Sequence, residues 1–143
     1  MGLFSKLKKL EKSGAPIRIG IVGAGKFGSM YLAQAIRTPG IHVAGVVDLS
    51  IDHARQSLQR IGWPPEQYDA KNLDIALKQG STCLSEDFRA LVEHPGIDII
   101  VECTGHPIAA VDHCLAAFRQ GKHVINVTVE AEAFCGPLLA HRA

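Results

Sequence analysis

The run from Ile17 to Val22 is short, apolar and rich in isoleucine, and it leads directly into Gly23, Gly25 and Gly28. Three glycines at this spacing arise by chance in many chains, so the surroundings decide what they mean. Here a buried strand precedes the glycines and a helical pattern follows them. Asp48 closes the next strand-like run, about twenty residues further on. Strand, glycine turn, helix and acidic residue together match the dinucleotide-binding fingerprint, which exists only inside a parallel α/β sheet.

The rest of the chain continues the alternation. Residues 26–37 carry Phe27, Met30, Tyr31, Ala35 and Ile36 at helical spacing and stop at Thr38, Pro39 and Gly40. Residues 42–48 form a second strand around Val43, Val46 and Val47, and Ser50 caps a helix over residues 51–61. Gly62, Trp63, Pro64 and Pro65 break the chain, and a helix runs from Tyr68 to Gly80 through Leu73, Ile75, Ala76 and Leu77. Residues 62–80 are expected to be an insertion packed on the outer rim of the sheet. Residues 81–84 make a short third strand, after which Ser85 caps a helix with Glu86 and Asp87 in its first turn.

Pro95 and Gly96 end that helix. The fourth strand, residues 97–102, is apolar almost throughout, as a strand covered on both faces must be. Pro107 opens the next helix, with Ile108, Val111, Leu115 and Phe118 on one face. Residues 123–127 are the fifth strand, and Gly136 and Pro137 start a last apolar helix. Ahead of all this, residues 1–15 form an amphipathic helix with Phe4, Leu7 and Leu10 set among lysines. It is expected to pack on its own domain or a neighbour rather than on a membrane surface. The alternation with short links predicts an α/β fold, a Rossmann-type doubly wound parallel sheet over residues 16–143.

Composition narrows the function classes. The chain has 143 residues, 47% of them hydrophobic, which suffices for one such domain and its core. A net charge of +1, from 15 basic and 14 acidic residues, provides no basic field, so nucleic acid is not an expected partner. Cys83, Cys103, Cys114 and Cys135 show neither a zinc spacing nor a disulfide framework, and free thiols on apolar stretches suit a reducing compartment. With no long apolar run and no secretory signal, a cytoplasmic protein without a membrane partner is expected.

In a doubly wound sheet the ligand lies beyond the carboxyl ends of the strands, where the strand order reverses. Gly23 makes the turn, Gly25 admits a pyrophosphate, and Gly28 lets the helix pack on the strand. The helix N-terminus, with Lys26 and Phe27 in its first turn, offers N–H groups and a partial positive charge. Lys26 is placed near the phosphates, a solvated surface lysine being the alternative. Asp48 is suited to hydrogen-bond the adenosine ribose and to repel a 2′-phosphate, so NAD is expected ahead of NADP. Arg55 is the residue that could counter such a phosphate. The fourth strand delivers Cys103, Thr104, Gly105 and His106 to the same edge, and the fifth delivers Thr128, Val129 and Glu130. Cys103 reads as a packed thiol, His106 as a cleft residue or a helix start, His113 as structural or exposed, and Glu130 as adjacent to cofactor or substrate. No residue is nominated as catalytic and none as a metal ligand.

Three segments, PIRIGIVGAGKFG from Pro16, IDIIVECTG from Ile97 and GKHVINV from Gly121, resemble the cofactor domain of the homoserine dehydrogenase-like oxidoreductases. More narrowly, NVTVEAE from Asn126 and GPLL from Gly136 are similar to a bacterial subgroup with a C-terminal SAF domain, which includes the deoxyxylulose-phosphate reductoisomerase-like enzymes. The resemblance implies NAD(P)-dependent hydride transfer on a small carbonyl or hydroxy metabolite, phosphorylated ones included. Some members are associated with NADPH. It puts Gly23, Gly25 and Gly28 on the pyrophosphate and Thr104 and Gly105 beside the cofactor. It also implies a homo-oligomer or a second, substrate-binding domain outside this sequence. The alternative, from a different class, is a stand-alone NAD(H)-binding sensing module without turnover.

Overall fold

A computed structural model describes residues 2–143. The elements are α1 (Leu3–Lys12), β1 (Ile17–Val22), α2 (Lys26–Ala35), β2 (Ile41–Val47), α3 (Ile51–Arg60), a single 3-10 turn at Pro65–Gln67, α4 (Leu73–Gln79), β3 (Cys83–Ser85), α5 (Phe88–Glu93), β4 (Ile99–Glu102), α6 (Pro107–Arg119), β5 (His123–Asn126) and α7 (Val129–Arg142). All four strand pairings are parallel, so every connection crosses over by way of a helix. The strand order is β3-β2-β1-β4-β5. The chain therefore starts in the middle, winds outward to β3, and returns to the other side of β1 at β4. That reversal opens a crevice above the carboxyl ends of β1 and β4. This is the doubly wound sheet expected from the sequence.

Each face of the sheet has its own core. Ile19, Ile21, Val43, Val46 and Val101 pack under Leu32 of α2 and Leu58 of α3. Val22, Ala44, Val47 and Ile100 pack against Leu91 of α5 and Ala117 of α6. Gly20 and Gly45 are register partners on β1 and β2. A Cβ on them would come within 2.9 and 2.6 Å of the Leu91 side chain, so their smallness lets α5 settle onto the sheet.

Residues 62–80 do pack along the outer edge of the sheet at β3, but they also supply part of the core. Trp63 and Tyr68 are buried in the α2/α3 core, and Trp63 Nε1 donates to the Leu32 carbonyl at 3.1 Å. Thr82 N donates to the Gln67 carbonyl at 2.7 Å, and Ala70 forms a parallel bridge with Cys83. The expected helix from Tyr68 is also shorter. Tyr68 leaves helical geometry (φ −134°, ψ 32°), Ala70 is extended in its bridge with Cys83, and α4 begins only at Leu73, where the Asn72 side chain accepts the Ile75 N–H at 2.9 Å.

Other boundaries shift for similar local reasons. Asp87, not Ser85, caps α5 by accepting the Ala90 N–H at 3.0 Å, so Glu86 and Asp87 precede the helix. On α6 the face turned to the sheet is Ala110, Cys114 and Ala117, small residues that allow close approach. Val111, Leu115 and Phe118 instead line a groove with Cys135, Leu138 and Leu139 of α7, while Ile108 is exposed. The last helix has two pieces that meet at Cys135, which leaves helical geometry (φ −144°, ψ 20°). The first starts at Val129, and the second opens at Gly136 and Pro137 as expected, Pro137 having no N–H to give the turn before it. The expected helix over 1–15 is α1, and Met1 lies outside the described residues. α1 rests on the turn before β2, where a Cβ at Gly40 would collide with the Leu7 carbonyl. Among the described residues no helix is long and apolar enough to cross a membrane.

The placement of Trp63 makes a test. Trp63→Ala is expected to destabilise the chain by about 3–5 kcal/mol in urea unfolding, the range for emptying a large buried aromatic site. A loss below about 0.5 kcal/mol would match an exposed rim position instead.

Candidate functional site

The glycine turn is wedged between two pieces of backbone. Gly23 has φ +99°, and its N–H donates to the Val47 carbonyl at 2.8 Å. A Cβ at Gly23 would lie 2.8 Å from the Cys103 carbonyl oxygen, and one at Gly28 would collide with the Gly23 carbonyl. Gly25 differs from both. Its φ of −71° suits any residue, and a Cβ there would meet nothing within 4 Å. Internal packing thus requires Gly23 and Gly28 but leaves the space at Gly25 free, where the residue lines a cleft. Gly25 is also the N-cap of α2, and no side chain caps that helix. By contrast Ser50, Asn72, Asp87 and His106 cap α3, α4, α5 and α6. α2 therefore presents uncapped N–H groups and the positive end of its dipole to the cleft, an arrangement made for a phosphate.

The cleft has a volume of about 760 Å³ and runs across the ends of β1, β2 and β4. Asp48 forms part of its wall, yet its carboxylate also braces the turn. Oδ2 accepts the Ala24 N–H at 2.8 Å, and Oδ1 accepts the Ser50 N–H at 3.2 Å and faces His53 Nδ1 at 3.0 Å. A carboxylate offers about four lone-pair positions, which leaves one for a further donor. Arg55 is turned away onto Asp52 Oδ1 at 2.7 Å.

A second carboxylate closes the other side. Glu102, the last residue of β4, is fully buried. Thr104 donates to its Oε1 through the hydroxyl at 2.6 Å and the N–H at 3.3 Å, His113 Nδ1 lies 3.3 Å away, and the Thr128 hydroxyl donates to Oε2. Gly105 N–H in turn donates to Thr128 Oγ1 at 3.1 Å. Burial pushes the Glu102 carboxyl up, but the hydrogen bonds from His113, Thr104 and Thr128 outweigh it and hold it below the ordinary glutamate value. An ionised carboxylate only accepts, so His113 Nδ1 carries the proton of that contact. The His113 ring packs on Phe88 with centroids 4.2 Å apart, and both line the cleft. Between the two carboxylates, the Cys103 thiol donates to the Val22 and Gly23 carbonyls at 3.3 and 3.1 Å. Burial, together with the charges of Glu102 and Asp48, pushes this thiol up to about 12, which makes it a packed group and not a nucleophile.

A family described as "Oxidoreductase family, NAD-binding Rossmann fold" (GFO_IDH_MocA) matches residues 17–126. The chain belongs to this family. NAD is accordingly its cofactor class. No curated protein matches the sequence significantly. Among solved structures, the chain is similar to a homoserine dehydrogenase from Thiobacillus denitrificans, with TM-score 0.68 and 23% identity, over 90% of this chain and 27% of that one. It is similar to myo-inositol dehydrogenase from Lactobacillus casei in complex with NAD(H) and myo-inositol, with TM-score 0.59 and 16% identity, over 78% and 28% of the two chains. It is also similar to a 3-ketoreductase from Actinomadura kijaniata in complex with NADP, with TM-score 0.54 and 21% identity, over 78% and 29%. At these identities the likeness is one of fold, and the chain spans under a third of each structure.

Within this oxidoreductase domain the expected site residues fall into two groups. Gly23, Gly25, Asp48 and Thr104 line the cleft together. Gly28 lies behind the turn, Lys26 and Phe27 are exposed on the first turn of α2, and Gly105 is tied to Thr128 beside the cleft. Glu130 is exposed in the first turn of α7, outside the cleft wall. His106 caps α6, its Nδ1 accepting the Ala109 N–H at 3.2 Å, and it also lines the cleft. Sequence reasoning overlooked Glu102, His53 and Phe88 and gave His113 no place at the cleft. A glutamate closing an otherwise apolar strand was a readable signal for Glu102. His53, Phe88 and His113 had none, because only the packing of their helices brings them to the same opening. Among the described residues no group of three or more His, Cys, Asp or Glu is placed to hold a metal ion.

The depressed Glu102 titration has a signed consequence. Its stabilisation is fully present above the ordinary glutamate value of about 4.3 and is lost as pH falls through the lower folded value. Glu102→Gln is expected to lower stability near neutral pH by about 1–3 kcal/mol and to flatten the acid side of the melting-temperature profile. An unchanged acid limb would show that the carboxylate is not held this way. A second expectation concerns Cys103, which should resist alkylation at neutral pH in the folded chain and react after unfolding. Mass spectrometry of the labelled protein distinguishes the two.

Proposed function

We propose that the chain is the cofactor domain of an NAD-dependent dehydrogenase acting on a small carbonyl or hydroxy metabolite, phosphorylated ones included. The observation that carries this reading is the empty space at Gly25, set at the uncapped N-terminus of α2 and facing the cleft. In it the pyrophosphate meets the backbone around Gly23, Gly25, Lys26, Phe27 and Gly28. Asp48 accepts a ribose hydroxyl, which favours NAD over NADP, and Thr104, Gly105 and Glu130 stand on the nicotinamide side. Bound NAD supplies the hydride acceptor, and the residues of this chain hold and orient it.

Residues 16–143 form this domain, with residues 1–15 as an N-terminal helix. A substrate-binding domain or a second copy completes the far wall and supplies the catalytic groups, in keeping with a chain that covers 27% of the homoserine dehydrogenase structure. The finer assignment, to the homoserine dehydrogenase-like subgroup with a SAF domain, is supported by the NVTVEAE segment at the end of β5 and the GPLL segment in α7.

Gly25→Val tests the reading, because it fills space that the protein itself does not use. NADH affinity, followed by fluorescence titration, is expected to fall at least about tenfold, a loss of about 1.4 kcal/mol. The unfolding free energy in urea should stay within about 1 kcal/mol of the parent. Undiminished NADH binding by the variant, or no binding by the parent, would sink the proposal.

A further inference from the structure

We propose that His53 decides which dinucleotide the cleft accepts, its charge setting the balance between a ribose 2′-hydroxyl and a 2′-phosphate. This rests on the dinucleotide reading above and adds the residue that meets the 2′ position. His53 stands in the first turn of α3, where its N–H donates to the capping Ser50 hydroxyl at 3.3 Å and the backbone beneath the ring is fixed. Its Nδ1 lies 3.0 Å from Asp48 Oδ1. Because a carboxylate only accepts, Nδ1 carries the proton and the tautomer is set. Nε2 is then the atom left for a ligand, and no protein group among the described residues bonds to it. Exposure separates the two partners. The His53 side chain is 52% exposed against 12% for Asp48, and both line the cleft, so an entering ligand meets the imidazole first.

Nε2 has two chemistries. In the neutral ring it accepts, and a ribose hydroxyl can donate to it. In the imidazolium it donates and brings a positive charge, which suits a phosphate oxygen. The remaining wall opposes a phosphate. Asp48 comes from the end of β2, and Glu86 comes from the loop after β3, its Oε1 accepting the Ile51 N–H at 3.2 Å. Other basic groups nearby do not relieve this. Arg55 pairs with Asp52 at 2.7 Å, His106 and His113 belong to the β4–α6 side with β1 between them and Asp48, and Lys26 is not part of the cleft wall. A neutral His53 therefore leaves an acidic wall that rejects a 2′-phosphate, and a charged His53 offsets it.

The 143-residue chain is titrated with NADH and with NADPH at about pH 8.5 and about pH 6, a span over which imidazoles change charge. His53→Gln keeps a hydrogen-bonding side chain that never charges, and His53→Lys carries a fixed charge. The 2′-phosphate titrates in the same span, so the comparison between parent and His53→Gln decides the outcome. The NADPH affinity of the parent relative to that variant is expected to rise about three- to tenfold as pH falls, the size of one charge-assisted contact at a half-exposed site. The same ratio for NADH should change little, and His53→Lys should bind NADPH well at both values. A ratio that does not move with pH, or that moves equally for both cofactors, overturns the role of His53 and leaves NAD binding intact. Failure of the parent to bind either dinucleotide overturns both readings.

Discussion

The structure depends on one close approach of backbone to backbone. At Gly23 the turn after β1 lies against the Cys103 carbonyl at the end of β4, and Gly28 of α2 lies against the Gly23 carbonyl. No side chain fits between these segments. The contact holds α2 down on β1 and aims its N-terminus at the point where the strand order reverses. The cleft, the open helix end and the position of the β4–α6 loop all follow from it. The Cys103 thiol fills the junction, hydrogen-bonded to the Val22 and Gly23 carbonyls and too weakly acidic to form the reactive thiolate at neutral pH.

Two carboxylates then stiffen the opening from opposite sides. Asp48 ties the glycine turn to the start of α3, and Glu102 ties the β4–α6 turn to α6 and to Thr128. A carboxylate at low solvent exposure is retained only where donors replace water, and both positions supply them. Each also holds an imidazole by its Nδ1, His53 on one side and His113 on the other. The burial differs, and so does the consequence. Glu102 is sealed and acts on the architecture, whereas the Asp48–His53 pair reaches solvent and can answer a ligand's charge.

Much of this was legible along the chain. Short apolar runs separated by helical patterns and glycine or proline stops specify a parallel α/β sheet, because each signal is local in origin. Ser50 as a cap and Pro107 at a helix start were read correctly for the same reason. What stayed hidden depends on distant contacts. Residues 62–80 do border the edge strand β3, but the break at Gly62, Pro64 and Pro65 gave no sign that the Trp63 ring belongs to the core beneath α2. The apolar stripe Val111, Leu115, Phe118 was legible as one face of α6, but what meets it was not: the sheet takes the small residues, and the stripe lines a groove with α7.

The sequence by itself determined the fold, the glycine turn and the cofactor class, since those depend on residues a few positions apart and on the steric demands of glycine. Tertiary structure decided the rest. Whether a glycine serves packing or leaves room, as Gly25 does, depends on atoms from other segments. So does the company of a carboxylate: Glu102 meets Thr104, His113 and Thr128 only because β4, α6 and the start of α7 converge at one end of the sheet. Electrostatics and close packing act through space, and no spacing along the chain encodes them.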